Sequence, residues 1–210
     1  MNGDDRPRVT PPAWADALLR LLLPPATRES VSGDLLEEFR EAVVPARGRD
    51  ANAWYIKQVA GFLWRACWLP GVLAAAIMKV RLLFDVWAPV VYTRGIVHPR
   101  SAVMSWMLMA TFAIAACWQT WRTGHVRTGV LVAVAAAAIA GALGSAGALL
   151  FVGIWHDAST LRAIESSGGL GEALWGVPLL LLPIGLVTGT AGALIGKLLA
   201  WPLKRSGEHA

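Results

Sequence analysis

Four acidic side chains lie close together in the sequence, and carboxylates in such a group are ligands for divalent cations. Asp34, Glu37, Glu38 and Glu41 crowd one face if residues 28–44 form a helix. Metal clusters in helical bundles add a histidine three residues after a glutamate, and no histidine stands at those positions. The pattern therefore favours a solvated helix face over a metal site.

Histidine is the other residue type whose spacing would reveal chemistry, because it binds metals and titrates near neutral pH. No pair has the spacing of metal ligands among His98, His125, His156 and His209. His156 follows the third long apolar run. Two interpretations apply to it: a role in pH sensing or ligand contact, or an ordinary loop residue without a special role. The sequence also contains neither a nucleophile motif nor a phosphate-binding loop. We expect no enzymatic activity, no metal and no cofactor.

Arg65 is a polar residue near the inner, cytoplasmic boundary of the first apolar segment, and Gln119 is one near the inner end of the second. An arginine at such a position usually faces a partner or water and often matters for function. Snorkelling of the side chain to lipid headgroups explains Arg65 equally well, so both interpretations stay open. The last three apolar segments contain no charged residue, which argues against transport coupled to protons or ions.

The elements that carry these residues follow from the distribution of apolar residues. The chain is 56% hydrophobic, with a mean hydropathy of +0.52, which exceeds the usual value for a soluble domain. Apolar runs predict transmembrane helices over about 62–84, 101–121, 128–155 and 173–196. The first is short, since its uncharged core covers only residues 66–78. Four spans are preferred, and three stay possible.

The predicted fold class is all-α, an integral membrane helical bundle that follows a short N-terminal helical module. We expect a disordered tail over 1–10, the module over 11–60, the transmembrane domain over 61–203 and a C-terminal tail over 204–210. With a cytoplasmic N-terminus, nine of the basic residues from Arg47 onward fall inside and five outside, as the positive-inside rule requires. Because basic residues flank the apolar runs, membrane orientation and lipid headgroups account for the net charge of +5, and nucleic-acid binding is not needed to explain it.

Small residues recur at one spacing in the last two apolar segments. Steps of four, three and four residues place each set along one helix face, and such faces let helices pack backbone to backbone. The two sets are Ala137, Gly141, Gly144 and Ala148, and Gly185, Gly189, Gly192 and Gly196. Because the segments are consecutive and antiparallel, we expect them to pair within the chain. A homodimer through the same face stays open.

Prolines divide the N-terminal module into short helices. Pro11-Pro12 opens a helix that Pro24-Pro25 ends, and Thr27 is a candidate N-cap for the next helix, with Ser30 as the alternative. Asp50 is a candidate cap for a third helix that runs towards the membrane. The module therefore reads as three helices, of which the last continues into the first apolar segment.

Three segments of the first sixty-five residues form a recognisable series, namely PPAWADALLR at 11–20, GDLLEEF at 33–39 and WYIKQV at 54–59. In this order they resemble the permease prefix domain of bacterial ABC transporters. The remainder lacks the large extracytoplasmic domain of such permeases and is similar to small bacterial polytopic membrane proteins. The resemblance implies a bacterial inner membrane and a cytoplasmic N-terminus. It implies neither export activity nor a catalytic residue.

These patterns lead to one hypothesis and one alternative. The leading hypothesis is a non-enzymatic accessory, scaffold or regulatory subunit of a membrane assembly of the ABC type. Its module would dock a partner through Trp14, Leu18, Leu35, Phe39 and Trp54. The alternative is a small transport or channel subunit for a small or lipid-like substrate. In both cases we expect contact with membrane lipid and with a membrane-protein partner or a second copy of the chain.

Overall fold

The computed structural model describes residues 10–43, 50–87, 99–153 and 171–206. All regular elements in these ranges are helices. They are α1 (Ala13–Leu22), α2 (Pro25–Glu38), α3 (Ala51–Trp87), α4 (Pro99–Thr123), α5 (Val126–Gly153) and α6 (Val177–Ser206). A π-helical turn extends α2 over Phe39–Val43, and another precedes α6 over Glu172–Gly176. The prediction of an all-α helical bundle is confirmed.

Four segments of these helices are long and apolar enough to cross a membrane. They are Ala51–Val80, Ala102–Thr123, Val126–Leu150 and Leu174–Ala200, and they indicate a multi-pass membrane protein. Large apolar side chains of α6 stay exposed, as expected for a helix that faces lipid rather than water. They include Leu179, Leu180, Val187 and Leu198.

The chain divides into two compact units, Met1–Arg65 and Ala66–Ala210. The division falls within α3, close to the module boundary that the sequence predicts at residue 60. The first unit therefore contains α1, α2 and the beginning of α3. The second contains the rest of α3 together with α4, α5 and α6.

The start of α2 differs from the prediction that Thr27 or Ser30 caps this helix. The helix begins at Pro25, with Pro24 at the cap position. Proline fits the first helical position because the N–H groups of the first turn have no partner within the helix. The Thr27 hydroxyl donates to the Pro24 carbonyl oxygen at 3.5 Å, so Thr27 lies inside the first turn.

In the second unit, α6 packs against both α4 and α5, which also pack against each other. A tight turn joins α4 to α5 at Gly124, whose φ is 75°. Glycine favours this left-handed conformation just after a helix. The Gly124 N–H donates to the Thr120 carbonyl oxygen at 2.7 Å. The turn makes α4 and α5 antiparallel.

The second unit also shows which way α3 runs. Gly71 lies against the Ile139 side chain of α5, and eight residues further along both helices Lys79 lies against Gly147. Because the residue numbers rise together, α3 and α5 are parallel. Alternate helices of a chain that crosses the membrane at each apolar segment must be parallel. The direction of α3 therefore agrees with the preferred four spans.

Candidate functional site

A small closed core holds the first unit together. Leu19 from α1, Phe39 from the turn after α2, and Tyr55 and Val59 from α3 are all at most 1% exposed. The Phe39 and Tyr55 rings meet edge to face, with centroids 5.6 Å apart and an angle of 78°. Aromatic pairs prefer this geometry because the positive ring edge meets the negative ring face. The core fixes α1 and α2, which are short enough to be marginal as isolated helices, against the beginning of α3.

Asp16 makes a polar link at the edge of this core. One of its carboxylate oxygens accepts a hydrogen bond from the Tyr55 hydroxyl at 3.1 Å. The other accepts from Nε of Arg20, one helical turn further along α1, at 2.9 Å. Tyr55 thus keeps its ring in the core while its hydroxyl reaches a charged acceptor. This link fixes α1 relative to the beginning of α3.

The structure separates the five residues expected to bind a partner. Phe39 is fully buried, so the prediction that it contacts a partner is corrected: it forms the core of the unit. Leu18, Leu35 and Trp54 are half-buried and pack against that core. Trp14 alone among the five is exposed, with 59% of its surface accessible. The apolar stripe of a helix predicts that this face packs against another apolar surface. It does not show whether that surface belongs to the same chain or to a partner.

The two small-residue faces meet along part of their length. A Cβ added to Gly185 would lie 2.7 Å from the Cβ of Ala137, and one added to Gly141 would lie 2.9 Å from the Cα of Pro178. Gly189 continues this contact one turn further along α6. Contact between α5 and α6 through small residues is therefore present, and it is antiparallel as expected.

The other members of the two sets face different helices. A Cβ on Gly192 would lie 2.7 Å from the Cα of Ala113, and one on Gly196 would lie 3.0 Å from the Cα of Cys117. Both neighbours belong to α4. Gly144 of α5 faces α3 instead. The expectation that all eight residues pair α5 with α6 is wrong for these three, because a stripe of small residues is wide enough for two neighbouring helices to share.

Arg65 and Gln119 belong to different units, so no joint site is assigned to them. Arg65 is exposed. Gln119 is 9% exposed and belongs to a set of buried polar residues around the turn between α4 and α5, with Thr120, Thr123 and Thr128. The Thr123 hydroxyl donates to the Gln119 carbonyl oxygen at 2.8 Å. The Thr120 hydroxyl is buried as well but has no hydrogen-bond partner among the described residues.

Lys79 forms an interhelical contact that sequence reasoning missed. Its Nζ donates to the carbonyl oxygen of Gly144 at 3.1 Å, which links α3 to α5. Gly147, which has no side chain, leaves room for the methylene groups of the lysine, and the nearby Ala148 is half-buried. A cation within an apolar bundle commonly binds backbone carbonyls. The available signal was a lysine directly after the apolar run 66–78, together with two glycines three residues apart in another span.

Some predictions lie outside the described residues. These are the role of His156 and the predicted tails at 1–9 and 207–210. Within the described ranges, no group of three or more His, Cys, Asp or Glu residues could hold a metal ion. The four carboxylates of the acidic face on α2 and its π-helical turn are all exposed, which agrees with a solvated helix face.

Comparisons of the chain with protein-family models, with curated proteins and with solved structures find no match. The class of protein therefore rests on the fold itself. Four candidate spans and a separate N-terminal helical unit make this a multi-pass α-helical membrane protein. Any more specific function has to be inferred from the surfaces that the two units present.

Proposed function

We propose that this chain is a non-enzymatic accessory subunit of a membrane assembly, whose N-terminal unit docks a partner protein while its apolar helices hold it in the membrane. The observation that carries the proposal is the exposure of Trp14. Its side chain is 59% accessible on α1, although Ala15 and Leu19 of the same helix are fully buried. Tryptophan is one of the residues most enriched at the energetic centres of protein interfaces.

The core of the unit gives Trp14 a fixed position. The buried side chain of Leu19 packs α1 onto the core, and Asp16 of α1 accepts a hydrogen bond from Tyr55 of α3. A partner that binds Trp14 therefore meets a preordered helix, which lowers the entropy lost on association. The unit also exposes Arg20 beside Asp16 on α1 and the four carboxylates of the acidic face on α2 and its π-helical turn. These exposed charges favour a partner whose binding surface carries the opposite charges, and the attraction between the two surfaces increases the rate of encounter.

The proposal extends to location and partner class. The segments at 11–20, 33–39 and 54–59 resemble the permease prefix domain, which supports a bacterial inner membrane and a cytoplasmic N-terminus. The larger number of basic residues on the predicted cytoplasmic side supports the same orientation. In this proposal the partner is a component of an ABC-type membrane assembly.

Substitution of one exposed residue tests the proposal better than removal of the first fifty residues. Such a deletion would also remove Leu19 and Phe39, which cover Tyr55 and Val59, so it would damage the unit itself. The tagged full-length chain is purified from native membranes in mild detergent as wild type and as Trp14→Ala. We expect the variant to retain about tenfold less of a partner membrane protein, a loss equivalent to about 1.4 kcal/mol.

Trp106→Ala is the matched control, because Trp106 is 69% exposed but lies in the second candidate span. It should retain the partner at the wild-type level. If wild type and Trp14→Ala give the same set of co-purified proteins in the same amounts, Trp14 is not the centre of a partner interface and the proposal fails.

A further inference from the structure

One end of the bundle contains an apolar groove between α4 and α6. Its lining residues are Ile114, Cys117, Trp118, Trp121 and Leu199, and its volume is about 300 Å³. The rings of Trp118 and Trp121 are 5.2 Å apart and tilted by 45°, so they form a broad aromatic wall. The groove lies in the last turns of the candidate spans Ala102–Thr123 and Leu174–Ala200. It therefore lies where acyl chains approach the headgroups.

Among the described residues of α4, α5 and α6 at this end of the bundle, the Asp, Glu, Lys and Arg side chains are all cationic. Cys117 of α4 lies against Gly196 of α6, and Thr120 of α4 lies against Gly129 of α5, so the ends of the candidate spans Ala102–Thr123 and Leu174–Ala200 lie beside the beginning of α5. Their exposed cations are Arg122, Arg127 and Lys197. The sequence has no Asp or Glu over 113–135 or 190–206.

Arg122 is the cation best placed beside the groove. It follows Trp121 directly and lies one helical turn after Trp118, on the same face of α4. Tryptophan rings and cationic side chains together mark the level of the lipid headgroups. The groove therefore continues from an apolar floor into a positively charged rim, which is the polarity of a phospholipid with a net negative charge.

We propose that this groove binds an anionic phospholipid, with an acyl chain against Trp118, Trp121 and Leu199 and with its phosphate beside Arg122. The apolar lining favours a lipid over free phosphate, because free phosphate has no apolar part that the groove could bury. The basic rim favours an anionic headgroup over a zwitterionic one, because each lysine or arginine near an anionic headgroup attracts it. This site lies in the second unit and does not depend on the partner proposed for Trp14.

Native mass spectrometry of the detergent-purified full-length chain tests the headgroup preference. The protein is titrated with phosphatidylglycerol or with phosphatidylcholine of the same acyl chains. We expect wild type to bind phosphatidylglycerol about tenfold more tightly. Arg122→Gln should weaken phosphatidylglycerol binding about fivefold and phosphatidylcholine binding less, because the choline cation offsets the charge of the phosphate, whereas Arg122→Lys should keep most of the preference.

Arg40→Gln is the matched charge control, because Arg40 is an exposed arginine of the first unit. It should bind both lipids like wild type. Equal affinity of wild type for the two lipids, or equal losses in Arg40→Gln and Arg122→Gln, would overturn the proposal.

A second pair of variants tests the groove itself. Leu199→Trp fills the groove and should weaken the binding of both lipids. Leu179→Trp adds the same side chain at another exposed position of α6 and should have no effect. If Leu199→Trp binds both lipids as tightly as Leu179→Trp does, the acyl chain does not occupy the groove and the proposal is wrong.

Discussion

Gly192 lets the backbones of two helices touch. An added Cβ would lie 2.7 Å from both the Cα and the carbonyl carbon of Ala113. Backbone atoms of a neighbouring helix cannot rotate away as the end of a side chain can, so any residue larger than glycine would push α4 and α6 apart. Helices in lipid associate mainly through such close packing. A single methyl group added at Gly192 should therefore disturb the packing of α4 against α6.

We expect Gly192→Ala to destabilise the second unit. Overpacking costs about 1–3 kcal/mol, and the higher helix propensity of alanine returns less than about 1 kcal/mol. The net loss should appear as a lower midpoint of thermal unfolding in detergent. Gly61→Ala is the matched control, because a Cβ there would meet nothing within 4 Å. Equal midpoints for the two variants would show that α4 and α6 do not touch at Gly192.

At the scale of elements, Phe39 connects the turn after α2 to α3. Its ring is fully buried and meets Tyr55 edge to face. The three segments of the first unit have few other large buried side chains, so the loss of this ring removes a large part of their core. Small units depend strongly on each buried aromatic residue because they bury little surface in total.

Phe39→Ala should cost about 3–5 kcal/mol and should open the first unit without unfolding the second. Hydrogen exchange measured by mass spectrometry should show faster exchange over 13–38 and unchanged exchange over 126–150. Trp14→Ala, which removes an exposed ring, should leave both regions protected. Continued protection of α1 and α2 in Phe39→Ala would contradict the described core.

Helix periodicity predicts which face of a helix is buried, but the identity of the neighbour depends on tertiary packing. The apolar segments, their alternating directions and the contact between the small-residue faces of α5 and α6 follow from length and spacing. The contacts of Gly192 and Gly196 with α4 do not, because one stripe of small residues fits either of two neighbours. For the same reason the apolar positions Leu35 and Phe39 indicate a face that is covered, without showing that Tyr55 of the same chain, rather than a partner, covers Phe39.

At the scale of the whole molecule, the direction of α3 bears on the number of membrane crossings. The contacts at Gly71 and Lys79 make α3 parallel to α5, as four successive crossings require. We expect epitope tags at the N-terminus and at the C-terminus to be on the same side of the membrane. Protease digestion of sealed vesicles, repeated after permeabilisation, measures this. Tags on opposite sides would mean that α3 does not cross.

Photo-cross-linking at position 14 tests the central claim, that the N-terminal unit presents Trp14 to a partner protein. A photoreactive phenylalanine analogue replaces Trp14 in the full-length chain, and in a control it replaces Glu29, which is exposed on α2. After irradiation of native membranes, position 14 should give one protein adduct of defined mass that position 29 does not give. Adducts with lipid alone, or identical protein adducts from both positions, would contradict the claim.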